Sequence, residues 1–244
     1  MLKSIAKSAA RHLGFDIRRF DPSNSSAAQL AAALSWHGVN LIFDIGANVG
    51  QYGKELRSHV GYKGRIISFE PMKLAHTKLQ RVASADPLWE VSDRSAIGAQ
   101  TGVVRINISN NSVSSSILPM LESHVSAAPQ SSYQSYEDVP LIQFDSISQR
   151  FFEGGTVAFL KIDTQGYESQ VLEGAEKTVD RVVGIQLELS LIPLYEGQLL
   201  MPELISKVEK WGFDLWGIFP TFAHPRSGRM LQVDAIFFRK GRSE

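Results

Sequence analysis

The chain has 244 residues, 25 basic against 25 acidic side chains, no cysteine, and 43% hydrophobic residues. Its length and apolar content suit one folded α/β domain with small additions and exclude a disordered chain. Without cysteine there is no disulfide scaffold, thiolate metal site or thiol nucleophile; zero net charge argues against a nucleic-acid binder; and no apolar run approaches the roughly 20 residues of a membrane helix. A soluble, cytoplasmic enzyme is the expectation.

Residues 1–20 place Leu2, Ile5, Ala6, Ala9 and Leu13 at helical spacing, with Lys3, Lys7 and Arg11 on another face. The basic residues interrupt the apolar stretch and no small-residue cleavage site follows, so a leader is not expected. The segment reads as a helix that packs on the domain, with weak peripheral membrane contact as the alternative. Asp21–Ser26 is a linker signal and Ala27–Trp36 a short helix. Residues 1–36 are thus an N-terminal helical extension ahead of a main domain over 37–244.

Apolar runs and helical patterns then alternate. Strands are expected at Leu41–Ile45, Arg65–Phe69, within Trp89–Ile97, at Val103–Ile108 on an edge, and at Ala158–Ile162 and Gly184–Leu189. Helices are expected at Gln51–Val60, at Lys73–Ala85 with Leu74, Leu79 and Val82 facing the core, at Ser169–Val179, and at Pro202–Trp211 with Gly212 as its stop. Leu215–Phe219 and Ala235–Phe238 have no helix between them and should pair antiparallel across a loop over Pro220–Val233. The alternation predicts a doubly wound, mostly parallel sheet whose ligands bind beyond the strand carboxyl ends. Ser109–Asp138 breaks the pattern: it is Ser-rich, lacks periodicity apart from one possible helical turn at Ile117–Leu121, and reads as a lid or substrate loop.

The residues at strand ends carry the chemistry. Asp44-Ile-Gly46-Ala47-Asn48-Val-Gly50 follows the first strand. Its glycines permit a sharp turn and close ligand approach, the next helix offers free N–H groups, and Asp44 is placed to receive an amino group. A dinucleotide turn would carry glycine where Asn48 stands, so the pattern favours S-adenosylmethionine, which has no phosphate. Glu70, followed by Pro71, closes the second strand where an acid accepts both ribose hydroxyls. Ser95 and Ala96 are candidates for an adenine wall. Asp163 and Glu188 lie at or near the ends of buried strands, where a carboxylate needs a partner or a role: orienting a hydroxyl, acting as base, or holding a hard cation. His124 in the loop and His224 near the end are further candidate bases. The six histidines show no metal-ligand spacing, and no metal is expected.

Phe43–Gly50, Ser68–Pro71, Leu160–Glu168 and Leu172–Ala175, in this order and spacing, resemble the FkbM family of methyltransferases; Phe144–Ile147 resembles the family segment before the fourth strand. The family usually has Glu where Gln165 stands. The resemblance implies a Rossmann-like class I methyltransferase: a seven-stranded, mostly parallel sheet with an antiparallel last strand, here with the N-terminal helical extension. It implies S-adenosylmethionine-dependent O-methylation of a sugar, glycolipid or related natural product, with Asp44, Gly46, Asn48, Gly50 and Glu70 as cofactor contacts. The residue bets are Ala47, Pro71, Ser95, Ala96 and Asp163 beside these for cofactor, and Asp163, then His124, then Glu188 for catalysis. A nicotinamide-dependent oxidoreductase and a non-catalytic binding protein are the rival readings. The missing middle glycine speaks against the first, and the intact cofactor residues against the second.

Overall fold

A computed structural model describes residue 7, residue 10, residues 12–15 and residues 20–241. The helix expected over residues 1–20, with its membrane contact, lies largely outside the described residues. At its end Asp21 accepts hydrogen bonds from Ser23 N and Asn24 Nδ2, a local turn. Ser25 Oγ accepts from Ala28 N and caps helix α1 (Ser26–Trp36).

Two strands are buried along their whole length, β1 (Leu41–Ile45) and β7 (Ala158–Ile162), as befits central parallel strands covered on both faces. Between them in sequence come α2 (Gln51–Glu55), β2 (Arg65–Phe69), α3 (Lys73–Ala83), β3 (Trp89–Val91), β4 (Ala96–Ile97), β5 (Gly102–Ser109), α4 (Glu122–Ala127), β6 (Tyr133–Ile142) and α5 (Phe144–Ser148). After β7 follow α6 (Glu168–Glu173), α7 (Glu176–Val179), β8 (Val182–Ser190), α8 (Met201–Lys210), β9 (Phe213–Ala223) and β10 (Met230–Arg239).

The main sheet has seven strands in the order β3-β2-β1-β7-β8-β10-β9. The last strand, β10, runs antiparallel to both β8 and β9, and the remaining pairs are parallel. This is the Rossmann-like class I methyltransferase arrangement. Strand order reverses between β1 and β7, so the crevice for a ligand opens at their carboxyl ends. One face packs Phe43, Leu160, Ile185 and Phe237 against α5 to α8; the other packs Ile42, Phe159 and Ile236 with Leu30 and Leu34 of α1 and Leu79 of α3. Among the described residues no helix is long and apolar enough to cross a membrane.

Several elements differ from expectation. The stretch Trp89–Ile97 divides: β3 joins the main sheet, whereas β4 belongs to a second sheet in the order β4-β6-β5. The expected edge strand Val103–Ile108 lies in that second sheet, because its partner is β6. The Ser-rich segment is therefore not without structure. Its last residues, Tyr133–Asp138, open β6, and its helix is α4 rather than Ile117–Leu121. The helix after the glycine turn is short and continues as a π-helical turn over Leu56–Val60. In α3, Leu74 is 74% exposed, while Ala75 and Leu79 face the core. The helix over Ser169–Val179 breaks at Gly174, where a Cβ would meet the Gly98 carbonyl oxygen at 2.0 Å. The family-like segment at Phe144–Ile147 serves structure: the Asp145 carboxylate accepts from Lys177 N and Thr178 N and caps α7.

Candidate active site

Strand register assembles a polar row across the sheet. Ser68 pairs with Asp44, Asp44 with Lys161, and Lys161 with Gln186, all on the face covered by α1 to α3. Asp44 is fully buried, and Lys161 Nζ lies 3.0 Å from its Oδ1 and 3.5 Å from Asp163 Oδ2. Burial pushes the Asp44 carboxyl above the ordinary aspartate value while Lys161 pulls against that shift. Burial alone would lower Lys161, but Asp44 and Asp163 outweigh it and hold the ammonium above the usual lysine range. Asp44 is thus committed to Lys161 rather than open to a ligand's amino group.

Above this row runs the glycine turn. Gly46 has φ +82°, and a Cβ there would stand 1.8 Å from the Asp163 carbonyl oxygen, so only glycine fits. Gly50, at φ +86°, is tight against Leu79 and Trp89. It shapes the turn from behind. Asn48 replaces the middle glycine by adopting φ +46° itself, a conformation asparagine tolerates. Two N–H groups of the turn itself are engaged within the protein: Asn48 N donates to Glu70 Oε2 at 2.8 Å and Val49 N to Gln51 Oε1 at 3.1 Å. Glu70 Oε1 also accepts from Met72 N at 2.8 Å. Each carboxylate oxygen keeps a further lone pair for a hydroxyl. Burial drives the Glu70 pKa up to about 7 against these bonds.

These residues border a cleft of about 320 Å³, which Gly46, Ala47, Asn48, Glu70, Pro71, Ser95, Ala96 and Asp163 all line. The loop after β5 adds Ser112, Val113 and Ser115 to its lining, with Ser112 Oγ 3.4 Å from the Asn48 side chain. Asp163 is one-third exposed. Its Oδ1 accepts from Gln165 Nε2 at 2.8 Å, and the same nitrogen donates to Glu188 Oε2 at 2.6 Å.

Three candidates lie elsewhere. Glu188 does not line the cleft. It sits behind Gln165, also accepts from Gln232 Nε2, and its carboxyl is held well above the ordinary glutamate value by burial, with Asp163 and Asp234 adding to the shift. His124 is carried by α4 into a buried site against Tyr195 and Phe222, with ring centroids 5.2 and 5.4 Å away. Burial lowers it to about 4, so it is neutral and outside the cleft. The His224 Nδ1 accepts from Arg226 N and Ser227 N in the β9–β10 turn. Sequence reasoning passed over Tyr52, Lys161, Gln186 and Asp234, which do line the cleft. For Lys161, Gln186 and Asp234 the signal was a polar residue inside an otherwise apolar strand, as in Ala158–Ile162; Tyr52, in α2, carried no such signal.

The charge of the cleft selects its ligand. Among the described residues it presents carboxylates at Glu55, Glu70, Asp163 and Asp234, and its one basic side chain, Lys161, is held by Asp44 and Asp163. A pyrophosphate would meet uncompensated negative charge there, whereas a cationic sulfonium with an ammonium finds its complement. No group of three His, Asp or Glu among the described residues is arranged to hold a metal.

No curated protein matches the chain in sequence. Solved structures that resemble it include methyltransferase FkbM from Methylobacillus flagellatus KT, 14% identical with a TM-score of 0.46, over 82% of this chain and 43% of that one. Magnesium protoporphyrin IX methyltransferase from Synechocystis PCC 6803 is 10% identical with a TM-score of 0.48, over 88% and 78%. An rRNA methylase from Streptococcus thermophilus is 10% identical with a TM-score of 0.47, over 90% and 96%. The chain thus spans less than half the length of the Methylobacillus protein. The family model of the methyltransferase FkbM domain matches residues 44–215. Since that match takes in the glycine turn, Glu70 and Asp163 and covers more than two thirds of the chain, the protein belongs to the FkbM family of S-adenosylmethionine-dependent methyltransferases.

Proposed function

We propose that the protein methylates a hydroxyl of a sugar, glycolipid or related natural-product acceptor. The observation that carries this reading is Asp163: a one-third-exposed carboxylate in the cleft lining, oriented from both sides by Lys161 and Gln165. When bound, S-adenosylmethionine supplies an electrophilic methyl group on a sulfonium. Glu70 accepts hydrogen bonds from its ribose, Ser95 and Ala96 wall its base, and the Gly46–Asn48 turn lets it approach the backbone. Asp163 receives the hydrogen of the acceptor hydroxyl and aims its oxygen. Such a group contributes about 10²–10⁴-fold. Alignment of the two reactants supplies about 7–11 kcal/mol of the barrier, so residual turnover survives loss of the carboxylate.

The test is isotope-labelled S-adenosylmethionine offered with glycosides, glycolipids and polyketide alcohols, combined with Asp163→Asn. Label on an acceptor oxygen, lost about 10²-fold or more in the variant while S-adenosylhomocysteine still binds, is the expected result. Full turnover by Asp163→Asn would remove Asp163 from the reaction.

A further inference from the structure

A second cavity, of about 210 Å³, lies beside the cleft between α1 and β9. The two share a wall of four residues: Tyr52, Glu55, Gln186 and Asp234. Within that wall the Tyr52 hydroxyl donates to Gln186 Oε1 at 2.8 Å, and Gln186 Nε2 donates to Asp234 Oδ2 at 3.1 Å. The chain of bonds fixes the Asp234 carboxyl and leaves its Oδ1 without a hydrogen-bond partner among the described residues. Glu55, on an exposed position of α2, makes no ion pair or side-chain hydrogen bond among them either. The remaining lining is uncharged, and Phe219 offers a second aromatic ring beside Tyr52's.

We infer that this second cavity is the acceptor's binding pocket, and that it takes an uncharged or amino-bearing polyol ring in preference to a phosphorylated or carboxylated one. The inference rests on the hydroxyl-methylation reading above. Two carboxylates with unspent acceptor capacity suit hydroxyl and ammonium donors, and an anion in the same space meets like charge, because the nearby Lys161, 5.2 Å from the Tyr52 ring, is already held by Asp44 and Asp163. Aromatic rings offer flat surfaces to the apolar faces of a ring. The shared wall joins the pocket to the cleft that Asp163 lines, and the Asp163 charge acts on Asp234. Burial, reinforced by the Asp163 charge, brings Asp234 to about 7, so near neutral pH its carboxyl can donate as well as accept.

The experiment uses saturation-transfer NMR on the full chain with S-adenosylhomocysteine bound. Three probes are compared: methyl glucopyranoside, its 2-amino-2-deoxy analogue, and glucose 6-phosphate. The first two should bind and the third should not. Ala27→Trp on α1 and Thr221→Trp on β9, two independent ways of filling the cavity, should abolish the signal while S-adenosylhomocysteine affinity stays within about twofold. Glu55→Lys should weaken the amino probe about tenfold and admit the phosphate. Equal binding of the phosphate by the unaltered protein, undiminished signal in both tryptophan variants, or no binding by any probe would overturn the inference. Failure of the underlying reading shows separately, as label transferred to nitrogen or carbon or as no affinity for S-adenosylhomocysteine.

Discussion

Lys161 Nζ and Asp44 Oδ1 stand 3.0 Å apart beneath the glycine turn, and neither side chain is more than 7% exposed. The pair exists because β1 and β7 are neighbours in register, so one strand's acid meets the other's base inside the sheet. Removing one partner leaves a buried charge unpaired. Lys161→Met should therefore destabilise the protein by about 3–5 kcal/mol. Adding Asp44→Asn to it should restore much of that loss, and the deficit of the single variant should shrink on acidification as Asp44 takes a proton. Urea denaturation of both variants decides the point. A double variant no more stable than Lys161→Met would show that the two charges do not act as a pair.

The glycine turn separates two kinds of glycine. Gly46 and Gly61 both have positive φ, +82° and +75°. A Cβ at Gly61 meets nothing within 4 Å, whereas at Gly46 it meets the Asp163 backbone. Gly61→Ala should cost about 1–2 kcal/mol through conformation alone. Gly46→Ala adds a steric clash of about 1–3 kcal/mol and displaces the turn from the cleft. Thermal denaturation should rank the two, and calorimetric titration should find S-adenosylhomocysteine binding kept in the first and lost in the second. Intact binding by Gly46→Ala would mean that the turn tolerates displacement.

Glu70, Glu168 and Asp234 all have native pKa values of about 7, raised chiefly by burial above 4.5, 4.5 and 3.8. A raised native value favours the folded state below the ordinary carboxylate range, and that favour drains away as pH climbs to about 7. The melting temperature of the ligand-free protein should therefore fall between pH 5 and pH 8. Affinity for S-adenosylhomocysteine should move the other way, rising up to tenfold per pH unit below about 7, because Glu70 accepts hydroxyl hydrogens best when ionised. Glu70→Gln should flatten the affinity profile. A wild-type affinity independent of pH would dissociate Glu70 from the ligand.

What was legible in the sequence is local. The Gly46–Gly50 turn and Glu70 are read from one strand end each, and a strand end has no need of its neighbours to point at the crevice. Asp234 and Gln186 are different. Gln186 reaches it through the pairing of β8 with β7, and Asp234 because β10 inserts beside β8, pairings between distant segments that periodicity does not reveal. The second sheet was hidden for a related reason: β4 has two residues, and β6 begins inside the Ser-rich stretch. His124 illustrates the opposite error, since a histidine in a loop near the crevice reads as a base until the Met120–Tyr195 bridge and α4 turn it inward.

Gln165 makes the last case. At φ +54° it holds a left-handed conformation that glycine favours, and its amide uses that position fully. The nitrogen donates to Asp163 and Glu188, and the oxygen accepts from the Tyr195 hydroxyl at 2.8 Å. A glutamate, the usual family residue, keeps the Tyr195 bond; when ionised it loses both donations and adds a third carboxylate to the cluster, and when protonated it regains one of the two. Gln165→Glu should thus be less stable than the parent by about 1–3 kcal/mol at pH 8, with the gap closing toward pH 5 as the new acid protonates. Gln165→Leu loses the donors at every pH, so its deficit should lack that recovery. Denaturant titrations at the two pH values distinguish the variants. A Gln165→Glu deficit unchanged between pH 8 and pH 5 would show that the amide acts by shape rather than by its two donated hydrogen bonds.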